Sequence, residues 1–284
     1  MKKVVIIGGG PAGVSAALYT ARAGLETTVL TSGPSSLLKA EKIENYYGFP
    51  EPVSGRELLE RGRAGAERLG VRFEEAEAVG LGFEETLTVE TTAGKFAGDA
   101  VIIATGNPRV TPKIAGIAEL EGHGVSYCAI CDAFFYKGRD VAVLGSGEYA
   151  LHEVEALLPV AGSVTLFTNG TEPTAGFPEQ VRIVTGKVKA VQGTEQVEGL
   201  LLENGTSYPA AGVFVAYGVA GSADLARKIG AETDRNRIVV NERMETTIPG
   251  LYAAGDCTGG LLQVAKAVSD GAIAGTEAAK ALRR

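Results

Sequence analysis

Two stretches of the chain share one order of hydrophobic and polar positions. The first starts with the continuous apolar run VVII at residues 4–7, passes a glycine-rich turn, and continues as GVSAALYTARAG at residues 13–24. The run is typical of a strand buried on both faces, as in a parallel sheet, and the second segment has the apolar spacing of a helix. TTVL at residues 27–30 predicts the next strand, so the stretch predicts a β-α-β unit.

The second stretch repeats this order in the middle of the chain. DVAVLGSGEYALHEVEALLP at residues 140–159 predicts a strand, a glycine turn and a helix, and SVTLFT at residues 163–168 predicts the following strand. Further strands are predicted by LTVETTA, AVIIATG, VFVAYG, IVVN and LYAAGDC, and a long helix by LLQVAKAVSDGAIAGTEAAKAL.

The repeated unit predicts an α/β fold with two Rossmann-like, three-layer nucleotide-binding domains, the second inserted into the first. Pro108 and Pro112 flank the predicted first crossing. We assign residues 1–111 and 236–284 to a discontinuous first domain and residues 112–235 to a central domain.

Composition disfavours several classes of function. The chain has 284 residues, 45% of them hydrophobic, and a net charge of −7, which disfavours binding to nucleic acid or to an anionic membrane. Glycines interrupt the N-terminal apolar run long before the roughly 18 residues of a membrane helix. We therefore expect a cytoplasmic protein.

The first glycine turn has the spacing of a dinucleotide site. Gly8, Gly10 and Gly13 form GxGxxG directly between a predicted strand and a predicted helix. In such a turn the glycines allow a tight bend, close approach of a pyrophosphate and close helix packing. The alternative is a glycine-rich turn that binds no ligand. Thr31 and Ser32 stand where an acidic ribose-binding residue is expected, so Thr31 is our candidate at the adenosine end.

Cys128 and Cys131 are the candidate redox pair among three cysteines. Three residues apart, one helical turn places their Cα atoms about 5 to 6 Å apart, within bridging distance. A helix N-terminus there would stabilise a thiolate, and Asp132 is placed to shuttle a proton. Asp132 alternatively serves only as a favourable charge on that helix. Structural zinc is a competing interpretation, but a second CxxC is missing and the chain has only two histidines, His123 and His152. We predict no metal site.

Several motifs together resemble one family, the low-molecular-weight thioredoxin reductases. They are GGGPAG, ENYYGFP, IIATG, SYCAICDAFFYKG and GLYAAGDC, and the resemblance extends over essentially the whole chain. It implies a homodimer that binds FAD in the first domain and carries the dithiol in the central domain, which normally binds NADPH. It implies that Cys131 faces the flavin, that Cys128 attacks the disulfide of a thioredoxin-like protein, and that Asp132 donates a proton. The FAD contacts that it implies are Gly8, Gly10, Pro11, Ala12, Gly13, Asn45, Thr105, Gly106, Gly255, Asp256 and Gln263.

The central domain departs from the family's NADPH site. Gly145, Gly147 and Ala150 are kept, but bulky Tyr149 stands where a small residue is expected to let the pyrophosphate approach, and TLFTNGTEP replaces a basic cluster. A phosphate dianion without arginine or lysine partners is disfavoured. On this interpretation Gly145 and Gly147 serve the packing of the strand against the helix and do not bind a nucleotide. SSLLKA at residues 35–40 and Leu262 replace a GGQ loop and an arginine of the family.

These departures resemble a subgroup that takes electrons from reduced ferredoxin. We therefore expect ferredoxin as a partner, with Lys137, Arg139, Lys187 and Lys189 as basic residues for its docking. The alternatives are a reductase that uses NADH or NADPH, an oxygen-dependent dithiol oxidase, and a non-catalytic flavin redox sensor. Cys257 is interpreted as a small buried side chain, with an approach to the flavin as the alternative.

Overall fold

The computed structural model describes residues 1–106, 112–218 and 220–283. It divides into two compact units, unit 1 (Met1–Pro108 and Gly221–Arg284) and unit 2 (Arg109–Ala220). Unit 2 is thus inserted into unit 1, and each has a parallel sheet with the Rossmann-like strand order. The predicted fold class is confirmed.

The secondary structure agrees with most of the predicted elements. The strands in chain order are β1 (Lys3–Ile7), β2 (Glu26–Thr31), β3 (Arg72–Glu75), β4 (Ala78–Phe83), β5 (Leu87–Thr91), β6 (Gly94–Gly98), β7 (Ala100–Ile103), β8 (Val125–Ser126), β9 (Asp140–Leu144), β10 (Ser163–Phe167), β11 (Arg182–Val184), β12 (Val188–Gln192), β13 (Gly199–Leu202), β14 (Ser207–Pro209), β15 (Gly212–Val215), β16 (Thr233–Asp234), β17 (Arg237–Ile238) and β18 (Leu251–Ala253). The α-helices are α1 (Pro11–Arg22), α2 (Gly55–Arg68), α3 (Ala129–Asp132), α4 (Glu148–Leu157), α5 (Ser222–Lys228) and α6 (Val264–Leu282).

The main sheet of unit 1 has five parallel strands in the order β18-β7-β1-β2-β3. The apolar run of β1 is buried at every position from Val4 to Ile7, because neither face of the strand meets solvent. The antiparallel strands β4, β5 and β6 form a second sheet in this unit. The carboxyl ends of β1, β7 and β18 therefore lie side by side at one edge of the main sheet.

Helices α1 and α6 pack against each other through small residues. A Cβ atom on Gly271 would lie 2.1 Å from the carbonyl oxygen of Ala12, and one on Gly275 would lie 2.5 Å from that of Ala16. Both distances are too short for any side chain larger than hydrogen. The small-residue pattern in the C-terminal helix thus reflects direct helix-to-backbone contact.

Unit 2 repeats the architecture. Its parallel sheet has the order β11-β10-β9-β15-β8, and an antiparallel sheet is formed by β12, β13 and β14. The core between them includes the buried side chains of Leu144, Phe167, Leu200 and Val213. The predicted strand–turn–helix copy from Asp140 onward corresponds to β9, the turn after it and α4.

The second crossing between the units differs from the predicted position at residue 235. The chain returns to unit 1 at Gly221. The reason is α5, because Lys228 donates from Nζ to the carbonyl oxygen of Val79 at 2.7 Å, and Ser222 donates from Oγ to that of Gly106 at 2.6 Å. The first crossing, predicted at residue 111, and Pro108 lie outside the described residues.

The segment IVVN, predicted as a strand, is a strand only at its first residue, and a turn follows Asn241. Only Ile238 belongs to β17, and the side-chain oxygen of Asn241 accepts hydrogen bonds from the N–H groups of Arg243 and Glu245. An asparagine that satisfies nearby backbone groups in this way favours a turn over a strand ladder. Over the described parts of the chain, no helix has the length and apolar character needed to cross a membrane.

Candidate active site

The glycine turn after β1 requires glycine at two positions for packing. Gly8 has a φ angle of +113°, and a Cβ atom on it would lie 2.3 Å from the carbonyl oxygen of Ala104. A Cβ on Gly13 would lie 1.8 Å from the carbonyl oxygen of Gly8. These contacts bring the start of α1 directly onto the end of β1.

Gly10 differs from these two, because the space beside it is open. The nearest atom to a Cβ on Gly10 would be Ser35 Oγ at 3.9 Å, and the φ angle of −79° is one that any residue adopts. Pro11 then occupies the first position of α1, where its missing N–H is not needed. Gly10 therefore leaves room for a ligand at the N-terminus of the helix, where unpaired N–H groups attract phosphate.

Residues after the neighbouring strands meet this turn. Thr105 follows β7, and its Cα atom would lie 3.0 Å from a Cβ atom added to Gly8. Gly255 follows β18, and a Cβ atom added to it would lie 2.9 Å from Ala12 Cβ. Asp256 begins the 3-10 turn that follows Gly255. Thr105 Oγ1 also lies 2.7 Å from Ser222 Oγ, which donates to Gly106. The structure thus places the predicted residues from three strand ends at one edge.

A partly buried ion pair holds the turn at Gly255. Its N–H donates to Asp270 Oδ2 at 3.1 Å, and its carbonyl accepts from Lys266 Nζ at 2.8 Å. Lys266 and Asp270 lie one helical turn apart on α6, with the two charged atoms 2.7 Å from each other. Neither was singled out from the sequence, although a lysine and an aspartate at this spacing on a small-residue helix indicate such a pair.

Asn45 and Gln263 lie together at the edge of a cleft of about 600 Å³. Asn45 donates from Nδ2 to Gln263 Oε1 at 3.0 Å. Leu37 from the SSLLKA segment, Lys42 and Leu262 also line this cleft. The positions where the sequence departs from the family therefore surround the same space as two predicted FAD contacts.

Thr31 is adjacent to the glycine turn but its hydroxyl is already engaged. Its Oγ1 donates to the carbonyl oxygen of Glu74 at 3.3 Å, and its methyl group would lie 2.5 Å from a Cβ on Gly9. Ser35, which sequence reasoning did not select, has its hydroxyl closer to the open space beside Gly10. A hydroxyl residue shortly after the second strand is the signal that would have found it.

The dithiol lies in unit 2 as a disulfide between Cys128 and Cys131, with the Cα atoms 5.3 Å apart. Cys128 is the N-cap of the short helix α3, and its Sγ accepts from the N–H of Cys131 at 3.2 Å. Cys128 is only 3% exposed, whereas Cys131 is exposed. The predicted pairing distance is confirmed, and the two cysteine residues differ strongly in accessibility.

Asp132 is bound to the loop that precedes the dithiol. Its Oδ2 accepts from Ser126 Oγ at 2.6 Å, and the same hydroxyl oxygen accepts from the N–H of Cys128 at 3.1 Å. A hydroxyl thus connects the carboxylate of Asp132 to the backbone of Cys128. The role of Asp132 as proton donor stays a prediction.

Exposed apolar side chains follow the dithiol. Phe134 and Phe135 are 78% and 72% exposed, with their ring centroids 6.4 Å apart, and Ile130 between the two cysteines is also exposed. Exposed aromatic groups of this size are unusual on a protein surface and are typical of contact sites. The FF pair after CxxC was present in the sequence but was not used.

The glycine turn of unit 2 is covered by its own chain. Thr174 donates from both its N–H and its hydroxyl to the carbonyl oxygen of Ser146, at 2.8 and 3.2 Å. A Cβ on Gly145 would lie 2.2 Å from the carbonyl oxygen of Ala216, so this glycine is needed for packing. The exposed carboxylate of Glu148 occupies the first turn of α4. A segment of protein thus lies on the turn, and an acidic group stands at the start of α4, the region that binds the pyrophosphate in dinucleotide sites.

Tyr149 does not obstruct the turn in the way that the sequence suggested. Its side chain is 2% exposed and its hydroxyl donates to the carbonyl oxygen of Tyr127 at 2.7 Å. The ring therefore points into the unit, toward the segment before the dithiol. Thr174 covers the turn instead.

The segment after β10 is also occupied by internal contacts. Thr168 and Thr171 exchange hydrogen bonds, and Asn169 accepts from the N–H of Val188 at 2.8 Å. From Ser163 to Gly176 the sequence contains no lysine or arginine. The alkyl chain of Lys187 packs on Gly170 and brings one cation near this segment.

Comparison with known proteins assigns the family. The family described as pyridine nucleotide-disulphide oxidoreductase matches residues 2–271. The chain belongs to this family. It is 35% identical to a thioredoxin reductase of Aquifex aeolicus (strain VF5), over 89% of this chain and 84% of that protein. It is 33% identical to one of Listeria monocytogenes, over 98% and 92%.

Solved structures of the same kind cover the whole chain. The atypical thioredoxin reductase TRi from Desulfovibrio vulgaris Hildenborough is 41% identical, with a TM-score of 0.92 and coverage of 100% of this chain and 98% of that one. A ferredoxin-flavin thioredoxin reductase from Clostridium acetobutylicum is 31% identical, with a TM-score of 0.70 and coverage of 100% and 99%. This member of the pyridine nucleotide-disulphide oxidoreductase family is therefore a thioredoxin reductase-type oxidoreductase that acts on sulfur groups and binds FAD.

The residues of unit 1 fit FAD. The open space beside Gly10, the helix N-terminus and the cleft beside Asn45 and Gln263 suit a pyrophosphate and an extended ligand. Bound there, the flavin supplies electron transfer in one- or two-electron steps. The individual contacts named from the resemblance stay predictions.

Cys257 agrees with the interpretation as a small buried side chain. It is fully buried, and its Sγ lies 3.3 and 3.5 Å from the carbonyl oxygens of Ala254 and Ile103. Burial raises the pKa of its thiol to about 12. A thiol with such a pKa stays protonated, and therefore unreactive, at neutral pH.

Gly10→Ala is expected to weaken FAD binding without unfolding the protein. The added methyl group has room in the protein itself but occupies the approach of the pyrophosphate, so we expect at least a tenfold higher Kd for FAD. Apoprotein titrated with FAD, followed by flavin fluorescence, measures this. Gly82→Ala, where a Cβ would also meet open space, is the control. Equal Kd values for Gly10→Ala and wild type would exclude a cofactor role for this turn.

Alkylation of the reduced protein with iodoacetamide at pH 7.5 is expected to modify exposed Cys131 rapidly and Cys128 more slowly, but not Cys257. The reason is the high pKa and full burial of Cys257, whose thiolate forms only near pH 12. Peptide mass spectrometry before and after unfolding in guanidinium counts the labelled thiols. Rapid labelling of Cys257 in the folded protein would contradict its interpretation as a packing residue.

Proposed function

We propose that this protein reduces the disulfide of a thioredoxin-like protein through Cys128 and Cys131, with electrons taken from reduced ferredoxin rather than from NADPH. The thioredoxin reductase-type chemistry is given by the family. The donor and the identity of the protein substrate are the parts that we propose. Like them, a homodimeric state and a cytoplasmic location are expectations carried from the sequence.

The observation that carries the choice of donor is the closed glycine turn of unit 2. Thr174 binds the Ser146 carbonyl twice, and Glu148 stands at the helix N-terminus. A dinucleotide needs this helix N-terminus free for its pyrophosphate and is repelled by a carboxylate there. Binding of NADPH or NADH would require both the displacement of the Thr174 segment and tolerance of that charge.

A 2′-phosphate also has poor support in unit 2. The segment after β10 contains Glu172 and no arginine or lysine, and the cation that packs on it at Gly170 is Lys187. Strong recognition of a phosphate dianion uses several charge-assisted hydrogen bonds, above all from arginine. NADPH is therefore the less favoured pyridine nucleotide.

Ferredoxin is favoured as donor by relatives and by chemistry. One similar solved structure is named a ferredoxin-flavin thioredoxin reductase. A flavin accepts electrons singly, as a one-electron donor requires. Lys137, Arg139, Lys187 and Lys189 are exposed, but unit 2 as a whole has more acidic than basic residues. These four residues therefore offer only local docking for an acidic iron–sulfur protein.

A protein substrate is supported by the apolar surface beside the dithiol. Ile130, Phe134 and Phe135 offer hydrophobic contact next to the exposed residue Cys131. A small-molecule disulfide would need no such surface. The resemblance assigns the attack on the partner to Cys128, which is buried in this conformation, so that assignment requires Cys128 to become exposed during the reaction.

Anaerobic mixing with NADPH, with NADH and with reduced ferredoxin tests the donor. We expect ferredoxin to bleach the flavin absorbance band within seconds and the two nucleotides to bleach it at least a hundredfold more slowly. Rapid bleaching by NADPH or NADH would overturn the proposal and indicate an ordinary nucleotide-dependent reductase.

The same preparation separates the remaining alternatives. After ferredoxin has reduced the flavin, added oxidised thioredoxin should reoxidise the flavin in wild type. In Cys128→Ser and Cys131→Ser no electrons should pass from the flavin to thioredoxin. Oxygen uptake on addition of reduced thioredoxin would indicate a dithiol oxidase. Flavin reduction without any turnover of thioredoxin would indicate a redox sensor.

The double change Phe134→Ala and Phe135→Ala is expected to raise the KM for thioredoxin about tenfold. Truncation of aromatic contacts at an interface commonly costs about 1 to 2 kcal/mol, and 1.4 kcal/mol corresponds to tenfold. Steady-state reduction of thioredoxin measures the effect, with flavin reduction by the donor as an internal check. Phe83→Ala removes a similarly exposed phenylalanine from unit 1 and serves as the control. An unchanged KM would show that the partner docks elsewhere.

A further inference from the structure

Two buried polar side chains of α4 face the dithiol loop. Tyr149 and Glu153 are four residues apart, so they lie on the same face of the helix. They are 2% and 1% exposed. A glutamate is almost never buried to this extent unless it has hydrogen-bond partners.

The partners of these two side chains flank Cys128. The hydroxyl of Tyr149 donates to the carbonyl oxygen of Tyr127 at 2.7 Å, and Oε2 of Glu153 accepts from the N–H of Ala129 at 2.5 Å. Tyr127 precedes Cys128 and Ala129 follows it. Helix α4 therefore holds the backbone on both sides of Cys128. These two hydrogen bonds go to the neighbours of Cys128 and not to Cys131.

The carboxylate of Glu153 also brings negative charge to the backbone of the residue next to Cys128. The N–H that it binds belongs to the residue after Cys128, and as the first N–H of α3 it would otherwise help to stabilise a thiolate there. His152 Nδ1 lies 3.6 Å from the other oxygen of Glu153, and Asp132 is the second carboxylate near the dithiol. A negative charge disfavours a neighbouring thiolate.

We propose that Tyr149 and Glu153 are positioning residues for Cys128, and that the charge of Glu153 makes the Cys128–Cys131 pair a stronger reductant. Reduction of this disulfide takes up two electrons, breaks the S–S bond and leaves one thiolate and, after uptake of one proton, one thiol. Destabilising the thiolate lowers the reduction potential of the pair. The inference rests on the proposed disulfide exchange through Cys128 and Cys131 but not on the ferredoxin donor.

Helix α4 follows the glycine turn at which a nucleotide normally binds in the family, and here it positions the dithiol. The face of α4 toward the dithiol carries Tyr149 and Glu153, whose two hydrogen bonds clamp the loop around Cys128. Thr174 covers the turn at the start of the helix. Tyr149, which the sequence suggested as an obstacle to a nucleotide, instead acts on the cysteine pair.

Glu153→Gln tests the charge. Glutamine keeps an oxygen to accept from Ala129 and removes the negative charge. Equilibration with glutathione buffers at pH 8.5, where an ordinary cysteine is about half ionised, should show about a tenfold larger equilibrium constant for reduction of the Cys128–Cys131 disulfide. For this two-electron couple the change corresponds to a potential about 30 mV less negative. Glu155→Gln removes an exposed carboxylate from the same helix and should change the constant less than twofold.

Tyr149→Phe tests the position independently, since it removes one hydroxyl and keeps the ring. A loosened loop should raise the ratio of Cys128 to Cys131 alkylation in the reduced protein at least fivefold, measured by peptide mass spectrometry. The flavin spectrum and the Tm check that each variant is folded.

Two results would overturn the inference. An equilibrium constant for Glu153→Gln within twofold of wild type, or a shift equal to that of Glu155→Gln, would refute the effect of the charge. An unchanged alkylation ratio in Tyr149→Phe would refute the clamp. Failure of the proposed function is distinguishable, because wild type itself would then not reduce thioredoxin whatever the potential of its dithiol.

Discussion

Close approach of main-chain segments at the carboxyl edge of the unit 1 sheet is the constraint on which the cofactor site depends. Gly13 contacts Gly8, Gly255 contacts Ala12, and Gly271 contacts Ala12 from the opposite helix, each at distances that exclude a side chain. The N-terminus of α1 is fixed by these contacts. Because its N–H groups and its dipole then point to one place, the site is formed by backbone before any polar side chain contributes.

The two units show that the same turn can be kept for different reasons. In unit 1 the space beside Gly10 is open, with the nearest atom to a Cβ position at 3.9 Å. In unit 2 Gly145 is still required by the carbonyl of Ala216, yet the turn is covered by Thr174. A glycine motif thus reports close packing of strand and helix, and only the surrounding chain decides whether a phosphate can reach it.

The dithiol depends both on residues next to it in the sequence and on residues of α4 farther along the chain. Its three-residue spacing and its position at a helix start follow from consecutive residues. Its hydrogen-bonded surroundings come from Ser126 on one side and from Tyr149 and Glu153 on α4. Reactivity in such a pair depends on the electrostatics of both sets, because thiolate stability determines the reduction potential.

The sequence by itself determined the two nucleotide-type units, the glycine turn after β1, and the cysteine pair. Each depends on a period or spacing among neighbouring residues, which the backbone geometry of strand and helix imposes directly. Only the tertiary structure decided that Tyr149 turns inward, that Thr174 covers the second turn, that α5 belongs to unit 1, and that IVVN is a strand only at Ile238. These outcomes depend on hydrogen bonds or packing with particular partners, in most cases far along the chain. A local pattern of hydrophobic and polar residues records which face is buried but not which partner is buried against it.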